Sequence, residues 1–289
     1  MASVLIAGCG YVGCEFAQLL LAKNHTVYGL RRNTALLPKG VIPLASDLTR
    51  LTAADLPSAI DYIFYLAAAD ESSEPAYYRA YQQGLANLLA SLSQAGHRPK
   101  RIFFSSSTAV YAQHSGEWVD ETSATKPDDY KGKILLAAET QLAESGYSHV
   151  IVRFGGIYGP GRDRLIRQVA SGNASLTQDD MYTNRIHLKD CAGVLLHLLE
   201  LDRPETLYLA VDHEPVLKNE VIKWLANQLK VRVVQKASLN SEEQTQRANK
   251  RCSNQRLLAS GYQFHQPSFR QGYASLIADL SLRENKNLS

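Results

Sequence analysis

Cysteine is scarce in this chain. Only Cys9, Cys14, Cys191 and Cys252 occur among 289 residues. Cys9 and Cys14 lie close together but lack Cys or His partners at zinc-ligand spacing, so no metal site is expected and both read as small packing residues. Long hydrophobic runs are also missing. No stretch approaches the roughly 20 apolar residues that span a bilayer, so no membrane partner is expected. The chain opens directly on a fold-forming strand without a basic leader region, which makes a reducing cytoplasm the default compartment. Charge of one sign never accumulates: 31 Lys and Arg stand against 28 Asp and Glu, for a net charge of +3. Without a basic block or an aromatic-basic stripe, nucleic acid is not implied as a partner. No Gly-x-Ser-x-Gly elbow is present, so hydrolase chemistry lacks support. The composition, 45% hydrophobic, allows a large α/β core.

What the chain does have begins at its N-terminus. Ala2-Ser-Val-Leu-Ile-Ala7 is a short apolar run that reads as a buried strand. Gly8-Cys-Gly10-Tyr-Val-Gly13 follows, and Cys14 to Lys23 reads as a helix leading to a second strand at Thr26–Leu30. Strand, Gly-x-Gly-x-x-Gly, helix, strand is the dinucleotide fingerprint in its required context. Gly8 supplies the tight turn, Gly10 removes a Cβ where backbone approaches a pyrophosphate, and Gly13 lets helix and strand pack closely. Tyr11, Val12 and Gly13 open the helix, whose free N–H groups and positive dipole end suit phosphate. NAD binding calls for an acid at the end of the second strand, about 20 residues past the glycines. Arg31 stands there, followed by Arg32. A guanidinium cannot accept from a ribose hydroxyl but can clamp a 2′-phosphate, so NADP is expected over NAD.

Further on, Val41–Ala45 reads as a third strand leading to Asp47 and Leu48. Asp47 has two readings that stand side by side: an acceptor for the adenine amino group, or the cap of the next turn. Asp61–Ala68 gives a fourth strand, whose small end at Ala67 and Ala68 suits close passage beside a cofactor. A helix is expected from Pro75 to about Ala95, with Tyr78, Tyr81, Leu85, Leu88, Leu89 and Leu92 at helical spacing. Arg101–Ser105 and Ser148–Arg153 are strands five and six, separated by a helix over Tyr130–Glu144. This alternation predicts a doubly wound parallel α/β sheet of the Rossmann type over residues 1–154. Its ligands belong at the carboxyl ends of the strands, where the glycine loop, Arg31, Ala67, Ala68 and Ser105–Ser107 converge.

Residues 155–289 read as a smaller substrate lobe. It has a turn-rich stretch at Gly155–Gly161 and helices near 162–171, 189–200, 217–230, 253–260 and 268–282. Thr206–Ala210 is an extended piece that can return to the main sheet. Trp118 and Trp224 read as core or lobe-interface residues, Gln235–Lys250 as a mobile loop or exposed helix, and Arg283–Ser289 as a frayed tail.

The segment Ser105-Ser-Ser107-Thr108-Ala-Val110-Tyr111 resembles the Ser-Ser-x-x-x-Val-Tyr-Gly segment of extended short-chain dehydrogenases/reductases, the superfamily of nucleotide-sugar epimerases and dehydratases. Val119-Asp-Glu121 with Pro127, Arg153 through Tyr158-Gly-Pro-Gly161, Arg185-Ile-His187-Leu-x-Asp190, and Arg251 through Tyr262 continue the resemblance over roughly residues 3 to 275. It implies a Tyr-Lys pair that moves the proton of a substrate hydroxyl or carbonyl, an upstream Ser or Thr that polarises the same oxygen, and a nicotinamide that exchanges hydride. Carried over, the hydroxyl is Ser107 and the tyrosine Tyr130. The lysine's place, four residues on, holds Ile134. Lys133, about 100° around the helix, is either its stand-in or a solvated lysine. The helical Asn of the family is also missing, its place held by Tyr81. This pattern resembles the atypical members labelled NAD(P)-dependent epimerases or dehydratases. It further implies cofactor contacts at Gly156 and support from Arg153. Thr108, Tyr158, Arg185 and His187 are substrate-side candidates; Arg185 also reads as a surface charge and His187 as a packing residue. A homodimer through the two long helices is expected from the same resemblance.

Two functions fit these observations. One is an NADP-dependent oxidoreductase or epimerase/dehydratase acting on a small hydroxyl or carbonyl substrate, such as a nucleotide sugar. The other is a catalytically weak or inactive NADP-binding regulator that senses redox state and binds a protein partner.

Overall fold

The computed structural model describes residues 1–178, 180–235 and 248–286. Most of the polar stretch 235–250, and the end of the chain after 286, lie outside the described residues. The chain forms two compact units. The first comprises Met1–Tyr111, Ala124–Phe154 and Cys191–Tyr208; the second comprises Ala112–Ser123, Gly155–Asp190 and the described chain from Leu209 on.

The first unit is built on β1 (Ser3–Ala7), β2 (Thr26–Arg31), β3 (Ile42–Ala45), β4 (Tyr62–Tyr65) and β5 (Arg101–Ser107). With the strands His149–Phe154 and Leu207–Ala210 they make a seven-stranded sheet in the order Leu207–Ala210, His149–Phe154, β5, β4, β1, β2, β3. The strands run parallel. Val4, Leu5, Ile6, Ile63, Phe64, Ile102 and Phe103 are fully buried, as expected for strands covered on both faces. This is a Rossmann fold. The direction of winding reverses between β1 and β4, so the switch point lies where the glycine loop leaves β1.

Between β1 and β2 runs α1 (Tyr11–Ala22), which buries Gly13, Phe16, Ala17 and Leu20 against the sheet. The helix predicted from Pro75 is present over 74–94, but Tyr78–Gln83 forms a π turn between two α-helical stretches. A cause is visible: the Tyr65 hydroxyl donates to the Ala80 carbonyl at 2.5 Å, drawing that carbonyl to a side-chain donor. Room for the phenol exists because residue 84 is glycine; a Cβ there would meet the Tyr65 oxygen at 2.4 Å. The π turn also breaks the phase of the apolar face. Leu85, Leu88 and Leu92 are fully buried, whereas Tyr78, expected on the same face, is 52% exposed.

The helix Tyr130–Glu144 buries Ile134, Leu135, Ala138, Leu142 and, among them, Glu139. Glu139 forms a two-pronged ion pair with Arg153, Nε to Oε1 at 3.0 Å and Nη2 to Oε2 at 2.6 Å. The Ser106 hydroxyl donates to Oε1 at 2.5 Å, and Arg153 Nη1 donates to the Tyr111 hydroxyl at 2.7 Å. All four residues are buried. Two charges removed from water are tolerated because each finds directed partners.

In the second unit, Gly156–Tyr158 pairs in parallel with Arg185–His187, and Lys250–Cys252 with Glu117–Val119. Its core gathers Ile166, Val169, Val221, Ile222, Leu225, Phe269 and Leu276, with Trp224 packed against it. Trp118 departs from its sequence reading. It is 58% exposed, and the Arg251 guanidinium lies 5.1 Å from its ring centroid and 5.0 Å from that of Tyr182. The last helix, Phe269–Lys286, extends well into the tail that the sequence left as frayed. No helix among the described residues is long and apolar enough to cross a membrane.

Replacing Glu139 by Ala strands a buried guanidinium and should cost about 3–5 kcal/mol of stability. Chemical denaturation of the Glu139→Ala protein, compared with Glu139→Gln, measures this. An unchanged midpoint in the alanine variant would show that the pair contributes nothing.

Candidate functional site

At the switch point, the three loop glycines answer to three different constraints. Gly8 has φ +84°, and a Cβ on it would lie 2.5 Å from both the N and Cα of Ala67. Conformation and space both demand glycine there. The amides of Gly8 and Cys9 each donate to the Leu30 carbonyl at 3.0 Å, tying the loop to the end of β2. At Gly13 a Cβ would press on Ile6 Cγ2 at 3.1 Å, so this glycine sets the spacing of helix and strand. Gly10 has nothing closer to its missing Cβ than the Gly8 carbonyl at 3.9 Å. It leaves an open cradle at the N-cap of α1, which carries no side-chain cap and no acid in its first turn. An uncapped helix N-terminus beside open backbone fits a pyrophosphate.

Around this cradle, Arg31 turns back onto the loop. Its Nη1 donates to the Cys9 carbonyl at 3.1 Å and lies 3.8 Å from Cys14 Sγ. Arg32 instead makes an exposed ion pair with Asp70 at 2.6 Å. Asp47 caps the short 3-10 turn Leu48–Arg50 by accepting from the Thr49 amide at 2.9 Å and the Thr49 hydroxyl at 2.9 Å. The Thr49 amide is the main reason its pKa falls below the usual carboxylate value. The Leu48 carbonyl accepts from the Asn87 side chain at 3.0 Å.

The end of β5 divides three serines among three environments. Ser105 is half-buried, Ser106 is committed to Glu139, and Ser107 accepts from the Ala109 amide at 3.2 Å, capping the turn Thr108–Val110. Gly132 joins that turn to the next helix. A Cβ there would lie 2.5 Å from the Ala109 carbonyl and 2.4 Å from Pro127 Cβ. The helix start is therefore seated on the serine turn, and Tyr130 is its first residue, with Asp129 as cap accepting from the Gly132 amide at 2.8 Å. The Tyr130 ring stands edge-on to Tyr77, with centroids 5.6 Å apart. Lys131 Nζ lies 5.7 Å from the ring centroids of both Tyr130 and Tyr77. Lys133 is exposed and Ile134 buried. The cation beside the tyrosine is thus Lys131, the residue that follows it. Arg153, which the resemblance put among the supports of the cofactor, spends its guanidinium on Glu139 and Tyr111.

The profile of the NAD dependent epimerase/dehydratase family matches residues 4–210. The chain belongs to this family. A solved structure from Methylobacillus flagellatus, provisionally assigned as an NAD-dependent epimerase/dehydratase, is 36% identical, with 97% of this chain and 99% of that one covered and a TM-score of 0.79. Protein YeeZ of Escherichia coli (strain K12) is 29% identical over 220 residues, 72% of this chain and 77% of YeeZ. At the level of fold alone, the human epimerase family protein SDR39U1 (isoform 2), solved with NADPH, superposes with a TM-score of 0.75 at 21% identity, covering 93% of this chain and 97% of that one.

Within the second unit of this epimerase/dehydratase family member, the substrate-side candidates form a buried polar cluster. Parallel pairing puts Gly156 beside Arg185 and Tyr158 beside His187. The Tyr158 ring lies 5.3 Å from His187 and 4.6 Å from Tyr273, and its hydroxyl abuts Gly272. The His187 Nδ1 accepts from the Lys189 amide at 3.2 Å, and burial holds its pKa below the usual histidine value. Arg185 donates to the Thr183 hydroxyl. Asp190 is saturated by the Tyr262 hydroxyl and the amides of His265 and Gln266. Tyr158 Oη, His187 Nε2 and Asp212 Oδ2 are buried without a hydrogen-bond partner among the described residues. Thr108, the remaining candidate, lies half-buried in the serine turn of the first unit.

Burial pushes the Asp212 carboxyl up to about 8, against the opposing pull of the Glu214 amide and Arg185. In the unfolded chain an aspartate ionises near pH 4. Between these values the folded protein holds a proton that the unfolded chain has lost, so stability falls as pH rises from about 4 to about 8. Asp212→Asn should flatten that slope in thermal or denaturant unfolding; an identical slope in the variant would remove Asp212 as its source.

Proposed function

We propose that this chain is an NADP-dependent oxidoreductase of the epimerase/dehydratase type, acting on a small hydroxyl or carbonyl substrate in a reducing cytoplasm. A nucleotide sugar is the substrate class the family favours. The observation that carries this reading is the loop itself: Gly10 leaves a cradle open at an uncapped helix N-terminus, with Arg31 laid against it where NAD binding calls for an acid. A bound nicotinamide dinucleotide would supply hydride transfer. Gly8, Gly10, Tyr11, Val12 and Gly13 would hold its pyrophosphate, and Arg31 its 2′-phosphate, with Arg32 beside it once released from the exposed pair with Asp70. Leu48, Ala67, Ala68 and Ser105 would border the adenosine and nicotinamide halves.

Ser107 and Tyr130 would share the substrate oxygen, Ser107 as hydrogen-bond donor and Tyr130 as proton donor. Lys131 would place its positive charge beside the phenol, a role the exposed Lys133 is less well set to fill. Thr108, Tyr158, Arg185, His187 and Gly156 remain the candidates for substrate and nicotinamide contacts. Self-association through the helices at 74–94 and 130–144 belongs to the same reading. A groove of about 770 Å³ lies between them, lined by Leu89, Ala137, Gln141 and Tyr147 among others.

Fluorescence titration with NADPH and NADH should show tighter NADPH binding. Loss of a charge-assisted clamp, worth about 1.5–3 kcal/mol, should weaken NADPH by roughly tenfold to hundredfold in Arg31→Ala while sparing NADH. Tighter NADH binding by the unaltered protein would overturn the choice of cofactor. In a screen of carbonyl substrates for NADPH oxidation, Tyr130→Phe should lower turnover by about 10²–10⁴ with nucleotide binding unchanged. Lys131→Ala should cost more than Lys133→Ala; the reverse order would return the role to Lys133.

A further inference from the structure

The two cysteines at the glycine loop are not equivalent. All four cysteines of the chain are thiols. Cys9 is fully buried, packed under the loop with its sulfur 3.5 Å from where a Gly13 Cβ would stand. Cys14, one turn into α1, is only half-buried. Its sulfur lies 3.5 Å from the Cys9 carbonyl, 3.8 Å from the exposed Leu36 carbonyl and 3.8 Å from Arg31 Nη1.

The two side chains are neighbours in space: Cys14 Sγ rests on the Cys9 backbone, and the Cys9 sulfur packs against Gly13, the residue before Cys14. The neighbouring Cys9 thiol, aided by the Arg31 guanidinium and opposed by partial burial, draws the Cys14 thiol below its ordinary value. Cys14 and burial together hold Cys9 in its thiol form. An accessible sulfur with thiolate character beside a guanidinium, backed by a second thiol, is the arrangement of an attacking and a resolving cysteine.

We propose that Cys9 and Cys14 form a hydroperoxide-oxidisable dithiol built into the glycine loop. The Cys14 thiolate attacks the outer peroxide oxygen. The O–O bond breaks, the departing oxygen leaves as water or alcohol after taking a proton from solvent, and Cys14 becomes a sulfenic acid. The Cys9 sulfur then attacks Cys14 Sγ, the S–O bond breaks, and hydroxide leaves with the Cys9 proton as water. Two thiols and one hydroperoxide give one disulfide, one alcohol or water, and one further water. The sulfur that draws on Arg31 is consumed in the process, and the loop it belongs to is cross-linked. The consequence for nucleotide binding rests on the reading of this loop as the dinucleotide site; the thiol chemistry does not.

The test treats the nucleotide-free full chain with hydrogen peroxide and maps it by mass spectrometry. The expected product is a Cys9–Cys14 disulfide, with loss of two hydrogens. Cys9→Ala, or Cys9→Ser if the alanine variant folds poorly, should stop at a Cys14 sulfenic acid that dimedone traps. Cys14→Ser should leave Cys9 unoxidised. Unchanged mass, or oxidation confined to Cys191 and Cys252, overturns the proposal. NADPH is then titrated into reduced, oxidised and re-reduced protein. Oxidation should weaken binding by about tenfold or more, and dithiothreitol should restore it. Equal affinity of the reduced and oxidised forms overturns the effect on the loop. If the reduced protein binds neither NADPH nor NADH, the cofactor reading fails, while the mapped disulfide still decides the thiol chemistry.

Discussion

The buried pair between Glu139 and Arg153 holds the part of this protein that carries Ser107 and Tyr130 in register. Its four polar members come from the end of β5, the turn after it, the helix that starts at Tyr130 and the strand His149–Phe154. Each member fixes a different segment of backbone. A carboxylate that must satisfy an arginine and a serine at once cannot slide along its helix, because every displacement would leave a charge unpaired in the interior. The helix is clamped at its middle by charge and at its beginning by the close approach of Gly132 to the Ala109 carbonyl. The serine turn and Tyr130 thus sit on one rigid block. Such a block is what proton transfer between fixed groups needs, since small displacements are costly.

On the cofactor side the constraint is steric rather than electrostatic. Gly8 meets Ala67 backbone to backbone across the β1–β4 switch point, so the crevice is set by two main chains and no flexible side chain intervenes. The two halves of the first unit solve the positioning problem by different means. The half around the glycine loop uses missing Cβ atoms, and the half around Ser107 and Tyr130 uses a desolvated ion pair.

Much of this was legible in the sequence, because strand periodicity and glycine spacing are local signals. The alternation of strands and helices, the tight turn at Gly8, the close packing at Gly13, and the place of the chain in the epimerase/dehydratase family all follow from patterns a few residues long. What escaped was set by partners distant along the chain. Glu139 is of a type almost never fully buried unless paired; the signal that marks it is its position on the apolar face with Leu135, Ala138 and Leu142. Tyr78 fell on the predicted apolar face because helical spacing assumes an unbroken α ladder, and the Tyr65 hydroxyl interrupts it. Trp118 reads as a core or lobe-interface residue, yet it is exposed beside Arg251, more than a hundred residues on. Lys131 comes to the phenol because its long flexible stem is not bound to the direction of its own Cα.

The π turn at Tyr78–Gln83 carries a consequence for how this helix can vary in length. A π turn holds one residue more than an α turn, and each residue advances a helix by about 100°. The surplus residue acts as a phase shifter. It lets Tyr77 meet Tyr130 with the two rings perpendicular while Leu85, Leu88 and Leu92 are still buried. Deleting one residue from this turn would restore a regular ladder and break the alignment between those two ends. Chain length is a coded quantity at this point, in the middle of a helix, where insertions and deletions are otherwise judged only by the strain they introduce.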